Sequence, residues 1–136
     1  MSERRMEVFF PGGKRVYARY GDFVIETDQP VSSGGEGTAP APFLLFLASL
    51  ATCAGIYVLA FLQKRGIPTE DARLYASFAR DPETGALTEY EVEIVLPPGF
   101  PAKYRDAIVR AAELCAVKKV MENPPRFVVR TRMADE

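Results

Sequence analysis

Two cysteines, Cys53 and Cys115, lie in separate apolar stretches of a chain that contains no histidine. Without imidazole there is no Ser-His-Asp or Cys-His nucleophile pair and no histidine general base. Zinc would have to be held by thiols and carboxylates alone, and two cysteines so far apart do not form the paired C-x-x-C spacing of such sites. Thiol redox chemistry and plain packing remain, because a buried cysteine also serves as a small hydrophobe. Gly34-Gly35-Glu36-Gly37 has the flavour of a phosphate loop but lacks the Lys-Ser/Thr that would follow, so it reads as a flexible loop. Glu89, Glu91 and Glu93 alternate along one strand and read as a solvated face, not a metal site.

The elements that must position these thiols follow from periodicity and turn chemistry. Met6 to Phe10 is a strand closed by Pro11-Gly12-Gly13, and Arg15 to Tyr20 and Phe23 to Thr27 complete a small meander around Gly21-Asp22. Gln29 to Pro42, rich in Gly, Ser and Pro, is a loop. A long helix then runs from Pro42 to about Arg65, where Gly66 and Pro68 end it. Ala72 to Arg80 and Leu87 to Leu96 form a hairpin, with Tyr90, Val92, Ile94 and Leu96 on the buried face. Pro101 opens a second helix that continues, with a break near Cys115, to about Glu122, and Arg126 to Arg132 supplies a last strand. The order is α+β, in one domain spanning residues 1–136.

With 136 residues and a formal net charge of −1, the chain has no basic stripe for phosphates, and nucleic acid is not an expected partner. The residues from Met1 to Glu7 are charged and show no signal peptide, which points to the cytoplasm, where thiols stay reduced. No charged residue occurs from Ala39 to Leu62. That run is long enough to cross a membrane, but half-polar strands on both sides of it favour a soluble protein. A helix apolar all round, in a domain this small, is expected to be wrapped by two copies of the chain. Phe43, Phe46, Tyr57 and Phe61 are then core and dimer contacts, some of them lining an entrance for an apolar ligand.

The segment Gly37-Thr38-Ala39-Pro40-Ala41-Pro42 leading through Leu44-Leu45-Phe46-Leu47-Ala48-Ser49-Leu50-Ala51-Thr52 to Cys53, and the later Ala111-Ala112-Glu113-Leu114-Cys115-Ala116-Val117, closely resemble the two cysteine motifs of the OsmC/Ohr family of osmotically inducible and organic hydroperoxide resistance proteins. The resemblance implies antiparallel sheets around a long buried central helix in an intertwined homodimer. It also implies a thiol-dependent peroxidase acting on organic hydroperoxides or hydrogen peroxide, with Cys53 peroxidatic, Cys115 resolving, and a dithiol as reductant. No cofactor and no metal are expected. The alternative is a non-catalytic member that binds a small apolar ligand at the dimer interface.

A cysteine in apolar surroundings has a raised pKa, so the peroxidatic role calls for a cation beside Cys53. Family members supply an arginine from the N-terminal strands, oriented by a glutamate at the start of the central helix. Arg19, in the middle of its strand, is the first choice here and Arg15 the second; four apart, they face the same way. The glutamate is where the chain departs from the pattern. Phe43 and Leu44 occupy that region, and the nearest upstream acid, Glu36, lies in the loop.

Overall fold

The computed structural model describes residues 5–135, so the first four residues of the charged N-terminus lie outside it. The chain divides into two compact units, Met1–Ser49 and Leu50–Glu136. The first is a three-stranded antiparallel meander of β1 (Glu7–Gly12), β2 (Arg15–Tyr20) and β3 (Phe23–Thr27) in the order β1-β2-β3. The turn begins two residues later than Pro11-Gly12-Gly13 suggests. β1 runs on to Gly12, pairing with Arg15 across an irregularity between Phe9 and Gly12. The ladder sets Glu7 opposite Arg19 and Phe9 opposite Tyr17, whose rings meet edge-on at 5.8 Å.

The loop after β3 is closed on a buried carboxylate. Asp28, 1% exposed, accepts from the Thr38 hydroxyl at 2.7 Å, the Thr38 amide at 3.0 Å and the Gln29 amide at 2.7 Å. The main chain crosses itself here so closely that a Cβ at Gly35 would collide with the Gln29 carbonyl. The Gly-rich stretch is therefore a fixed clamp leading into the long helix, with its backbone groups used internally.

That helix, α1 (Pro42–Lys64), begins on a proline, ends with Lys64 at its negative pole, and is capped by Gly66 in the left-handed conformation while the Ile67 amide returns to Leu62 O at 3.0 Å. By length and composition alone it could cross a membrane, and only 22% of its most apolar window is buried within the chain. Leu47, Leu50, Ala54, Val58, Phe61 and Leu62 form one buried stripe, whereas Phe43, Leu44 and Ile56 are exposed.

In the second unit β4 (Arg73–Arg80) and β5 (Leu87–Val95) pair antiparallel, with Tyr90, Val92 and Ile94 half-buried and Glu89, Glu91 and Glu93 exposed, as the alternation requires. A short 3-10 turn, Ala102–Tyr104, leads into α2 (Arg105–Ala112), and after a break comes α3 (Ala116–Glu122). The core joins Val58, Phe61 and Leu62 of α1 to Ile108 of α2. Phe61, Phe100 and Tyr104 stack around it, and Arg65 lies 3.5 Å from the Phe61 ring centroid.

One expected element is absent. Arg126 to Arg132 belongs to none of the strands among the described residues. Its apolar side chains face solvent, Phe127 at 84% and Val129 at 95% exposure. A strand is defined by its ladder, and this segment finds no partner edge among the described residues.

The Asp28 clamp generates a prediction. Hydrogen bonds from Thr38 first, then from the Gln29 amide, outweigh the effect of burial and hold the Asp28 carboxyl down to about 2 from an ordinary 3.8. A depressed folded-state value adds stability that is complete above pH 4 and is lost as pH falls toward 2. Asp28→Asn should be less stable than the native protein at neutral pH, and the difference should shrink between pH 4 and pH 2. Denaturant midpoints measured across that range check it; a constant difference would contradict the assignment.

Candidate active site

Cys53 lies in the middle of α1 and is half-buried, while Cys115 is 3% exposed in the break between α2 and α3; both are free thiols. The fold brings them together. The amide of Ala116, the residue next to Cys115, donates to Cys53 Sγ at 3.2 Å, and the Cys115 thiol points to the Leu50 carbonyl of α1 at 3.9 Å. The break explains how. Cys115 adopts φ −44° and ψ 121°, so α2 stops, the chain turns, and the first amides of α3 have no carbonyl of a preceding turn to donate to.

The electrostatics favour ionisation of Cys53. Its thiol is held below the ordinary range, first by the Val117 amide, then by the Cys115 thiol and the Ala116 amide, against the opposing effect of burial. Tyr90 of β5 lies near Cys115 and lines the same cavity. Its phenol is pushed up, first by burial and then by the neighbouring Cys115. A cavity of about 480 Å³ opens beside Cys115, lined by Leu50, Ala54, Tyr90, Val92, Val109 and Met121, with Glu113 and Lys118 as its charged members. The lining suits an apolar ligand with a single polar end.

The two arginines belong to the first unit. Arg19 is ion-paired with Glu7 of β1 at 2.7 Å, and its guanidinium lies 4.6 Å from the Phe9 ring centroid. Arg15 donates from Nε to Gly12 O at 3.2 Å. The carboxylate partner of Arg19 thus comes from a neighbouring strand. Register alone reveals it, since nothing local links Glu7 to Arg19. The amides that reach Cys53 also escape a reading by side-chain type; their one trace in the sequence is the expected break near Cys115.

The fold is α+β, and a central helix and a later helix break bring its two free thiols together. This chain belongs to the OsmC-like protein family, whose profile matches residues 35–130 and so includes both cysteines. The fold is similar to that of a Psychrobacter arcticus protein whose name assigns it to osmotic stress and detoxification, at 21% identity, TM-score 0.73 and 88% coverage of each chain. It is also similar to an organic hydroperoxide resistance protein OsmC of Legionella pneumophila, at 22% identity and TM-score 0.54, covering 89% of this chain and 90% of that one. The organic hydroperoxide resistance protein OhrB of Bacillus subtilis matches at 21% identity and TM-score 0.51, with 90% and 93% covered. No curated protein matches. The OsmC-like fold is that of a soluble domain, in which an apolar central helix is a core element.

The site predicts an order of reactivity. Iodoacetamide near pH 7 should modify Cys53 faster than an unperturbed thiol of pKa about 8.5 allows, while Cys115, buried and donating to Leu50, should react last or only on unfolding. Peptide mass spectrometry over a time course checks this, and prior modification of Cys115 would reverse the roles.

Proposed function

We propose that the protein is a thiol-dependent peroxidase that reduces organic hydroperoxides, or hydrogen peroxide, through a Cys53/Cys115 disulfide cycle. The supporting observation is the approach of the Cys115 segment to the Cys53 sulfur, with an amide donor at 3.2 Å. The Cys53 thiolate attacks the O–O bond, one oxygen passes to sulfur as the sulfenic acid, and the alkoxide takes a proton and leaves as the alcohol. The Cys115 thiol then attacks the Cys53 sulfur, its proton leaves with that oxygen as water, and the disulfide that forms is reduced by an external dithiol, which becomes a disulfide itself. Such a cycle needs a supply of reduced dithiol and fits the cytoplasm. Of the two arginines, Arg19 is the better candidate for the family's cation, because Glu7 supplies the carboxylate missing at Phe43 and Leu44, whereas Arg15 is tied to Gly12 O.

A second reading, a non-catalytic protein binding a small apolar ligand, draws on the cavity beside Cys115. One experiment separates the two. One equivalent of an organic hydroperoxide should consume both thiols and leave an intramolecular disulfide that a dithiol reverses. Cys115→Ser should stop at the sulfenic acid and pass to sulfinic acid in excess peroxide, and Cys53→Ser should not react. Two intact thiols after peroxide treatment would leave the ligand-binding reading.

The two compact units are read as parts of one OsmC-like domain over residues 1–136, since the family match and α1 both run across the boundary. The protein is further proposed to work as an intertwined homodimer. Support comes from the exposed apolar side of α1, from Phe10 and Phe23 on the meander, and from the unpaired segment at Phe127 to Val129. Apolar exposure on this scale marks an interface. Sedimentation at micromolar concentration without detergent should give a dimer, and Val129→Asp should weaken it; a stable monomer would refute this assembly.

A further inference from the structure

Resting on the disulfide cycle above, we propose that Tyr90 serves its second step: the phenol donates to the Cys115 sulfur while that thiol gives up its proton and attacks Cys53. The placement comes from β5. Tyr90 alternates with Val92 and Ile94 on the half-buried face of the strand, opposite Phe78 of β4, and its phenol oxygen reaches the main chain of α1 at Ala51. The neighbouring residue, Leu50, offers the carbonyl toward which the Cys115 thiol points at 3.9 Å. Tyr90 and Cys115 thus meet the same turn of α1 and line the same cavity.

A carbonyl can only accept, so Leu50 serves the neutral thiol and not the charge that builds on the sulfur as its proton departs. The rest of the seat is poor in donors. The cavity walls are otherwise apolar, and the two charged members of the lining, Glu113 and Lys118, are exposed. Tyr90 is the one half-buried side chain of the lining that carries an O–H. Burial first, and then Cys115, push its pKa up, so it remains a protonated donor at neutral pH. Hydrogen bonds to an anion are roughly twice as strong as those between neutral partners, so the donation counts most as the sulfur gains charge. In that step the S–O bond of the Cys53 sulfenic acid breaks and the S–S bond forms. The Cys115 proton leaves with the oxygen as water, and Tyr90 keeps its own.

Tyr90→Phe tests the inference, since it keeps the ring and removes only the hydroxyl. With one equivalent of an organic hydroperoxide the variant should lose the Cys53 thiol at the native rate and form the disulfide about tenfold more slowly. In excess peroxide it should accumulate sulfinic acid at Cys53 where the native protein stops at the disulfide. A native rate of disulfide formation, or an equal slowing of both steps, would overturn the proposal. The second step is also read without peroxide. Methyl methanethiosulfonate converts Cys53 to a methyl disulfide, which Cys115 attacks with release of methanethiol; Tyr90→Phe should slow that release by the same factor. If peroxide leaves both native thiols intact while methanethiol release still depends on Tyr90, the peroxidase reading fails and this one stands. Should Tyr90→Phe fail to fold, Cys115→Ala decides: the ring resonances of Tyr90 should shift when the sulfur is removed, and unmoved resonances refute the idea.

Discussion

A sulfur atom on an apolar helix ionises only if donors replace the water it has lost. That constraint organises the second unit. α1 must be apolar to join Val58, Phe61 and Leu62 to the core, so the helix itself offers no charge to Cys53. The donors have to arrive from elsewhere, and they come from a helix interruption. A continuous helix through Cys115 would have committed the Ala116 and Val117 amides to carbonyls of the preceding turn. The break frees them, and the core contact between Ile108 and α1 holds the break close enough for one to lie 3.2 Å from Sγ.

Local signals carried most of the fold. β2 and β3 begin and end at the residues their turns imply, α1 stops at its Gly66 cap, and the alternation of Tyr90, Val92 and Ile94 against three glutamates fixed the orientation of β5. Each depends on residues a few positions apart. Arg126 to Arg132 failed as a strand because its β-branched and aromatic composition reports a preference, whereas a ladder needs a partner edge. β1 ran on to Gly12 because pairing with Arg15 overrode the turn chemistry of Pro11-Gly12-Gly13.

The site divides along the same line. The two cysteines were legible because the family motifs contain them, and the break near Cys115 because the pattern of apolar residues falters there. The salt bridge of Arg19 with Glu7 was not, since only the register of β1 on β2 sets the two opposite each other. It changes the meaning of Phe43 and Leu44. The chain has no acid on its central helix, and Arg19 pairs with a carboxylate from β1, twelve residues before it.

The choice between redox and packing roles for the cysteines turns on the energy of one hydrogen bond. A neutral thiol is a weak acceptor, so an amide aimed at it is poorly satisfied compared with one donating to a carbonyl oxygen. Two cysteines serving only as small hydrophobes would place no demand on the amides around them, and the chain would gain by turning Ala116 toward a better partner. The observed geometry gives up that gain in the neutral state and recovers it when Cys53 ionises. A main-chain donor committed to a sulfur, in a chain with no histidine to serve as base, favours the thiolate over the neutral thiol.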